Sequence, residues 1–279
     1  MSIVSGANTI IKENLLAAEA VRLLDNTFVI APFANTMYEW EIKQRGDTVS
    51  IETFPNISWA SATTAGEEIS ASAFVITKDQ LVIDQLATFW AKYSSLEDIQ
   101  ANLPLATKIA NRMTYGQDEL IEKFIIKTVV EWANSDNILW DLWVALTKST
   151  VADAVEATTV ALEEQNVKLE NAALFVSPKI ASLIRGSSYF DAFKEWLDVR
   201  RTGLIGRIAG LDVYKSNNIG YKCMIAMDRD SVHFAAQRTG FSDEKLVGAF
   251  SRQVSGEMAY GAKVCTENAK RIALYYFAN

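Results

Sequence analysis

Apolar residues recur every three or four positions in several stretches, a spacing that predicts amphipathic helices. The first stretch runs from Thr9 to Leu24, and a much longer one runs from about Pro104 to Ala133. Pro104 suits the first turn of a helix, where its missing amide costs nothing. At 1.5 Å per residue the long helix would measure about 45 Å, which is typical of an architectural strut. A further helix is predicted from Val151 to Gln165.

A long hairpin is predicted upstream of that strut. Apolar and polar residues alternate from Thr48 to Phe54, which is typical of a half-exposed strand, and a second strand covers about Phe74 to Ile83. Residues 56–73 between them are rich in Ser, Ala, Thr and Gly. Arms of roughly 15 residues would reach about 50 Å, well beyond the radius of gyration of about 19 Å expected for a compact chain of this length. Since the tip holds few large apolar side chains, we expect the hairpin to project from the body of the protein.

The second half of the chain mixes short strands and helices. An apolar run from Ala172 to Val176 predicts a buried strand, and Ser177 and Pro178 then suit the cap and the first turn of a helix. Later strands are predicted at about 222–227, 231–236, 247–262 and 271–277. The mixed order of elements, with no internal repeat, predicts the α+β class.

The composition narrows the range of functions. Of 279 residues, 49% are hydrophobic and 22% are charged, which is typical of a globular protein, and the net charge of −7 argues against a nucleic-acid reader. One histidine, His233, and two distant cysteines, Cys223 and Cys265, cannot form a standard structural zinc site. The first residues lack a signal-peptide pattern, and no apolar run approaches the roughly 20 residues of a membrane helix. We therefore expect a soluble protein made in a cytoplasm, with no metal, no cofactor and no membrane span.

The motifs of common enzymes are missing from the sequence. The glycines at 203, 206 and 210 do not form a dinucleotide-binding GxGxxG pattern, and no phosphate-binding GxxxxGK[ST] loop, HExxH helix or GxSxG elbow occurs. His233 alternates with apolar neighbours and is interpreted as a strand residue, because its pairing with Cys265 as a nucleophile has no local support. Cys223 lies in an apolar run and is interpreted as a small buried hydrophobe. These observations argue against an enzyme.

Three segments resemble tailed-phage major capsid proteins, and they follow the order found in that family. Gly46 and Asp47 belong to a Gly-Asp-Thr-Val entry into the hairpin, and a run that begins at Ala161 ends in Ser177-Pro178. The third segment is the spaced pattern of Gly203, Gly206, Ile208, Gly210, Val213, Tyr214, Ser216 and Asn217. The resemblance spans nearly the whole chain. It implies that the glycines serve close backbone packing rather than phosphate binding.

The resemblance implies the Hong Kong 97-like capsid fold, an α+β architecture built in five parts. Residues 1–45 would form an N-terminal arm with the amphipathic helix, and residues 46–90 would form the extended hairpin loop. Residues 91–139 would form the peripheral domain, with the long helix as its spine. Residues 140–235 would form the apical domain, and residues 236–279 would supply the strands that return to the peripheral domain.

The same resemblance implies a structural subunit that assembles with its own copies. Through pentamers and hexamers it would build an icosahedral shell around a phage double-stranded DNA genome, without sequence-specific DNA binding. Only about 45 residues precede the hairpin, too few for a built-in scaffolding segment. A separate scaffolding protein, or none, is therefore expected, with a portal and decoration proteins as further partners. The subunit would assemble in the cytoplasm of a host bacterium and end in the virion.

Two alternatives stay open on the sequence. An encapsulin-type bacterial compartment shell would share the fold but hold cargo enzymes instead of a genome. From another class, a small-molecule enzyme with an unrecognised site would be a monomer with a deep pocket. Electron microscopy separates a shell from an enzyme, and the neighbouring genes separate a virus from a compartment.

Overall fold

The computed structural model describes most of the chain. The described residues are 28–38, 47–53, 76–94, 105–141, 146–187, 203–220, 222–238, 242–246 and 250–277. The helix predicted over Thr9–Leu24, the hairpin tip at 56–73 and the motif residue Gly46 lie outside these stretches.

The longest element is a helix, as the hydrophobic spacing predicts. The described helices are α1 (Ile30–Phe33), α2 (Leu105–Trp132), α3 (Lys148–Glu164) and α4 (Pro178–Arg185). α2 confirms the helix predicted from Pro104 to Ala133, and it continues through Gly116 without a break. None of these helices is both long enough and apolar enough to cross a bilayer.

Local hydrogen bonds explain where two of the helices begin. Thr147 and Thr150 form a reciprocal cap before α3, each side chain accepting from the backbone amide of the other. At α4, the hydroxyl of Ser177 accepts a hydrogen bond from the amide of Ile180, and Pro178 occupies the first turn. These contacts satisfy amides that a helix start leaves without partners. The predicted cap and first turn of α4 are confirmed.

The described strands form three sheets. Their bounds are β1 (Thr48–Thr53), β2 (Thr77–Val82), β3 (Gln85–Ser94), β4 (Ile138–Asp141), β5 (Ala172–Val176), β6 (Leu204–Ile208), β7 (Leu211–Lys215), β8 (Cys223–Asp228), β9 (His233–Arg238), β10 (Ser242–Lys245), β11 (Ser251–Lys263) and β12 (Ile272–Phe277). β1 and β2 pair antiparallel, from Thr48 opposite Val82 to Thr53 opposite Thr77. This pairing confirms the base of the predicted hairpin.

The largest sheet has the strand order β4-β12-β8-β5-β7-β6. The pairs β4–β12 and β5–β7 are parallel, and the other neighbours are antiparallel. β5 and β8 are buried along their whole length, as expected for strands covered on both faces. Their alternate side chains enter two different cores. Leu174 packs with α3 and α4 on one face, and Phe175 packs with α1 and α2 on the other.

A four-stranded sheet is built around β11. β3 runs along one edge of β11, from Ser94 opposite Ser251 to Gln85 opposite Tyr260. β10 and β9 share the other edge, β10 near the start of β11 and β9 near its end. β3 therefore pairs with β11 and not with the hairpin, although it begins inside the range 46–90 expected for the hairpin loop.

The last third of the chain contributes strands to two sheets. Within residues 236–279, β11 lies in the sheet that holds β3, whereas β12 lies inside the six-stranded sheet, between β4 and β8. β12 reads Ile-Ala-Leu-Tyr-Tyr-Phe and is buried at five of its six positions, as expected for a strand covered on both faces. The domain ranges, including 236–279 as the return to the peripheral domain, stay predictions.

Candidate functional site

A small apolar cluster packs the root of the hairpin against the rest of the chain. Val49 and Ile51 of β1 and Leu81 of β2 are buried, whereas their neighbours along the strands are more exposed. They meet Ala259 of β11 and Cys265, which follows that strand. The alternation that predicts a strand from the sequence is thus an alternation between the subunit side and the solvent side.

Two further contacts hold the hairpin root at one position. The carboxylate of Asp79 accepts hydrogen bonds from the amide of Thr266 at 3.0 Å and from its hydroxyl at 3.4 Å. Gly261 of β11 lies directly beneath β2. A Cβ at Gly261 would overlap the carbonyl oxygen of Val82 and would lie 3.1 Å from Cδ1 of Ile83. Only glycine permits this approach of two backbones.

Exposed aromatic side chains lie on the four-stranded sheet. Trp90 of β3 is 69% exposed, and its neighbour Phe89 is 42% exposed. Both line a groove of about 400 Å³ together with Gln253 and Glu257 of β11. Phe250, just before β11, is 86% exposed. Aromatic side chains left in water to this extent are typical of surfaces that bind other proteins.

A second exposed aromatic lies at the edge of the six-stranded sheet. Trp140 on the edge strand β4 is 63% exposed and stacks on Tyr276 of β12, with ring centroids 4.5 Å apart. The adjoining groove between this edge and α3 is lined by the acidic side chains of Asp136, Asp153, Glu156 and Glu164. The two sheets therefore present separate candidate contact surfaces, one of them acidic.

The motif glycines serve the β6–β7 hairpin. Gly203 and Gly210 have φ angles of +73° and +82°, in the left-handed region that favours glycine. Gly210 closes the turn between the two strands and faces Leu169, whose Cδ1 would lie 3.3 Å from a Cβ at that position. Gly206 is buried within β6. These positions shape a turn in the sheet, and their role in the family motif stays a prediction.

The remaining motif residues lie at other places in the fold. The carbonyl of Asp47 accepts a hydrogen bond from the amide of Ile83 at 3.2 Å and so closes the hairpin root. Asn217 is exposed in the turn after β7. Ser216 precedes it and is fully buried, with its hydroxyl bonded to the carboxylate of Glu122 at 2.5 Å. The motif residues that the structure describes therefore support three parts of the fold and do not meet in one pocket.

The candidate catalytic side chains are buried in surroundings that do not favour reactivity. Burial raises the pKa of both Cys223 and Cys265 to about 11, so each thiol is protonated at neutral pH and is a poor nucleophile. The interpretation of Cys223 as a buried hydrophobe is confirmed by its place in the core. His233 is 6% exposed, and burial lowers its pKa, which keeps the ring neutral. Within the described stretches, no three His, Cys, Asp or Glu side chains are grouped as metal ligands would be.

Three residues with clear structural roles, Glu122, Gly261 and Asp79, were not predicted from the sequence. For two of them the sequence does contain a recognisable signal. Glu122 shares a helix face with Ile125 and Val129, so it is an acidic residue in an apolar stripe. Gly261 is an isolated glycine in a strand pattern, a sign of close backbone approach. Asp79 leaves no local signal, because its partner is 187 residues away in the chain.

The subunit superposes on phage structures over nearly its whole length. A structure from Mycobacterium phage Che8 matches 91% of this chain and 93% of its own, with a TM-score of 0.72 and 20% sequence identity. The capsid of cyanophage P-SCSP1u matches 100% and 93%, with a TM-score of 0.75 and 11% identity. The chain has the fold of phage capsid proteins. The capsid of Ralstonia phage GP4 shares this capsid fold over 88% and 87% of the two chains, with a TM-score of 0.64 and 12% identity.

These matches confirm the predicted α+β, Hong Kong 97-like fold. No protein-family model and no curated protein matches the sequence. The relation to capsids is therefore carried by the arrangement of elements and not by sequence identity. The hairpin, the long helix α2 and the two larger sheets together form this fold. The aromatic side chains of Trp90, Trp140 and Phe250 remain exposed to solvent in it.

Proposed function

We propose that this chain is a structural subunit that assembles through pentamers and hexamers into an icosahedral capsid around a phage double-stranded DNA genome. The observation that carries the proposal is the near-complete match to phage capsid structures, with over 90% of both chains covered in two cases. The role is structural rather than enzymatic.

The exposed aromatic surfaces supply the contacts that a shell requires. Shell subunits need two different patches that meet head to tail, so that rotation closes a ring. Trp90 and Phe250 on the four-stranded sheet and Trp140 on the six-stranded sheet are separate patches of this kind. We assign the first sheet to the peripheral domain and the second to the apical domain, and we expect the hairpin to lie on a neighbouring copy.

Further partners follow from the same role. We propose a separate scaffolding protein, a portal and decoration proteins, with assembly in the cytoplasm of the host bacterium and residence in the virion. The net charge of −7 suits a container that encloses DNA without holding it to the wall. Tight binding of the isolated subunit to duplex DNA, with a steep salt dependence, would contradict this part of the proposal.

Electron microscopy of the purified protein tests the proposal directly. We expect rings or shells, and Trp90→Ser should lower their yield severalfold while leaving the unfolding temperature of the unassembled subunit nearly unchanged. Trp90→Phe keeps an aromatic ring and is the matched control, with most of the particle yield retained. Dispersed monomers under all assembly conditions tried, with or without a scaffolding partner, would refute a shell. Uniform closed shells from this chain alone would refute the separate scaffold only.

The encapsulin alternative is less well supported, because the matched structures come from phages. A phage capsid and an encapsulin shell differ in what they enclose and in the genes that lie beside the gene of the shell protein. Terminase and portal genes beside this one favour the virus, whereas a peroxidase or ferritin-like cargo gene favours the compartment.

A further inference from the structure

Glu122 is a fully buried carboxylate at the junction of three distant segments. It lies on α2 and is 0% exposed. The amide of Val29 donates to one of its oxygens at 3.0 Å, and the hydroxyl of Ser216 donates to the other. These partners are 93 and 94 residues away along the chain. One side chain therefore ties residues 28–35, here called the arm root, to α2 and to the turn after β7.

Among the described residues, the two segments that contact this carboxylate bring no cation to it. The arm root reads Phe-Val-Ile-Ala-Pro-Phe-Ala-Asn and the turn at 216–220 reads Ser-Asn-Asn-Ile-Gly, so neither segment carries a charged side chain. The charged side chains of α2 near Glu122 and of the elements around it are Lys92, Asp118, Glu119, Lys123, Lys215, Lys222, Arg252, Glu257 and Lys263. All of these are exposed or half-buried, and Glu119 and Lys123 pair with each other at 2.6 Å. In the surrounding core, burial raises the pKa of Tyr214, Tyr260, Tyr276 and Cys223, which stay neutral. The arm root itself faces His233, whose pKa is lowered by burial, and Asp230, and the cavity beside Phe28 and Val29 is lined by Glu170, Asp212 and Arg229.

The arm root is otherwise held by a small number of polar contacts. Asn35 forms a bridge to β9, where its amide donates to Val232 and its carbonyl accepts from Phe234, both at 2.9 Å. Its side chain donates to Asp230 at 2.9 Å. Between Asn35 and the start of the described stretch, the backbones of Val29 and Ile30 form polar contacts with Glu122 of α2. The state of Glu122 therefore bears directly on how firmly this end is held.

We propose that Glu122 makes the arm root a proton-controlled latch, held most firmly when the carboxyl is protonated and loosened when it ionises. Burial raises the pKa of Glu122 above its ordinary value of 4.5, and the hydrogen bonds from Ser216 and Val29 oppose this rise in part. When the arm root lifts away, water reaches the carboxyl and its pKa falls toward that ordinary value. Ionisation therefore favours the open state by linkage.

The sign of the effect follows from the direction of this pKa shift. Below about pH 4.5 the carboxyl is protonated in both states, and the latch has its full strength. As the pH rises toward the raised pKa, the open state ionises first and gains population. The equilibrium constant for opening of the arm root can then rise by up to tenfold for each pH unit between the pKa of Glu122 in the open state and its pKa in the closed state.

Hydrogen exchange on the full, unassembled chain between pH 4.5 and pH 8 tests the latch. Exchange of peptides covering residues 28–35, corrected for the intrinsic pH dependence, should speed up severalfold as the pH rises in the native protein. Glu122→Gln has the same shape without the titration and should give a flat profile. Peptides from β5 (Ala172–Val176) are the internal reference and should show no such change. A flat native profile, or an equal slope in Glu122→Gln, would overturn the latch.

Ser216→Ala provides a second, independent variant. Loss of the hydroxyl removes a bond that favours the ionised form, so the rise in exchange should move to higher pH. An unmoved profile contradicts the latch even if Glu122→Gln fails to fold. Because these measurements use the subunit before assembly, their outcome is separable from whether the protein forms a shell.

Discussion

Gly261 offers the sharpest test of how the hairpin is held. It lies in β11 beneath β2, where a Cβ would overlap the carbonyl oxygen of Val82 and press on Ile83. Gly261→Ala adds one methyl group at this contact. Since non-bonded heavy atoms pack at about 3.5 Å, the backbone of β2 must retreat by about an ångström. The apolar cluster around Leu81 and the bond from Asp79 to Thr266 resist that movement.

The expected cost is that of overpacking a core, about 1–3 kcal/mol. For a chain of this size, that corresponds to a fall of roughly 2–12 °C in the unfolding temperature of the subunit. Gly116→Ala is the matched control, because Gly116 is exposed in the middle of α2 and a Cβ there meets nothing within 4 Å. The control should stabilise the subunit by about 0.5–1 kcal/mol, through helix propensity and a less flexible unfolded chain.

Calorimetry or chemical denaturation of the unassembled subunits measures both variants. The two substitutions are chemically identical, so the opposite signs isolate the contact with Val82. A displaced hairpin should also lower the particle yield of Gly261→Ala, whereas Gly116→Ala should assemble normally. Equal stability of Gly261→Ala and the native protein would show that β2 does not approach β11 so closely, and the account of the hairpin root would fail.

Two further predictions concern buried polar groups. Asn137 is buried and donates to the carbonyls of Lys270 at 2.8 Å and Ile272 at 3.2 Å, so Asn137→Ala should cost about 1–3 kcal/mol in urea unfolding. Asn137→Asp keeps the shape without the donors, and stability equal to the native protein would refute the role of these bonds. Both thiols have a pKa raised from 9.0 to about 11, so the unfolded chain ionises first and stability should fall between those pH values. A double Cys→Ala variant should show a smaller alkaline decline, because the buried tyrosines with a raised pKa still contribute to it. A decline of unchanged size would contradict the assignment to the thiols.

Much of the fold follows from the sequence because the signals are local. The spacing of apolar residues places α2, since a helical stripe needs only its own residues. Ser177 and Pro178 place the start of α4 for the same reason, because a cap acts on amides of the next turn. Alternation places β1, whose buried side chains Val49 and Ile51 both face the subunit.

Contacts between residues that are far apart in the chain could not be predicted from such local patterns. The apolar pattern of β12 predicts a strand, but it does not say that β4 and β8 flank it. Glu122 looks like one acidic residue among several on α2 until Val29 and Ser216 are placed beside it. The resemblance to capsid proteins supplied the overall order of parts, and only the three-dimensional arrangement assigned particular contacts to them.

The long-range contacts also constrain when the subunit can become complete. Asp79 and Asn137 form their hydrogen bonds with residues that are synthesised much later, Thr266 and Ile272. The six-stranded sheet also lacks the strand between β4 and β8 until β12 is synthesised. A fold with many contacts between distant residues forms slowly, because the chain must lose the entropy of closing long loops before these contacts contribute favourable free energy. The hairpin therefore cannot be fixed before Thr266 is synthesised, and the largest sheet cannot close before β12 is synthesised. The surface around the exposed Trp140 is likewise formed only after β12, because Trp140 stacks on Tyr276 of that strand.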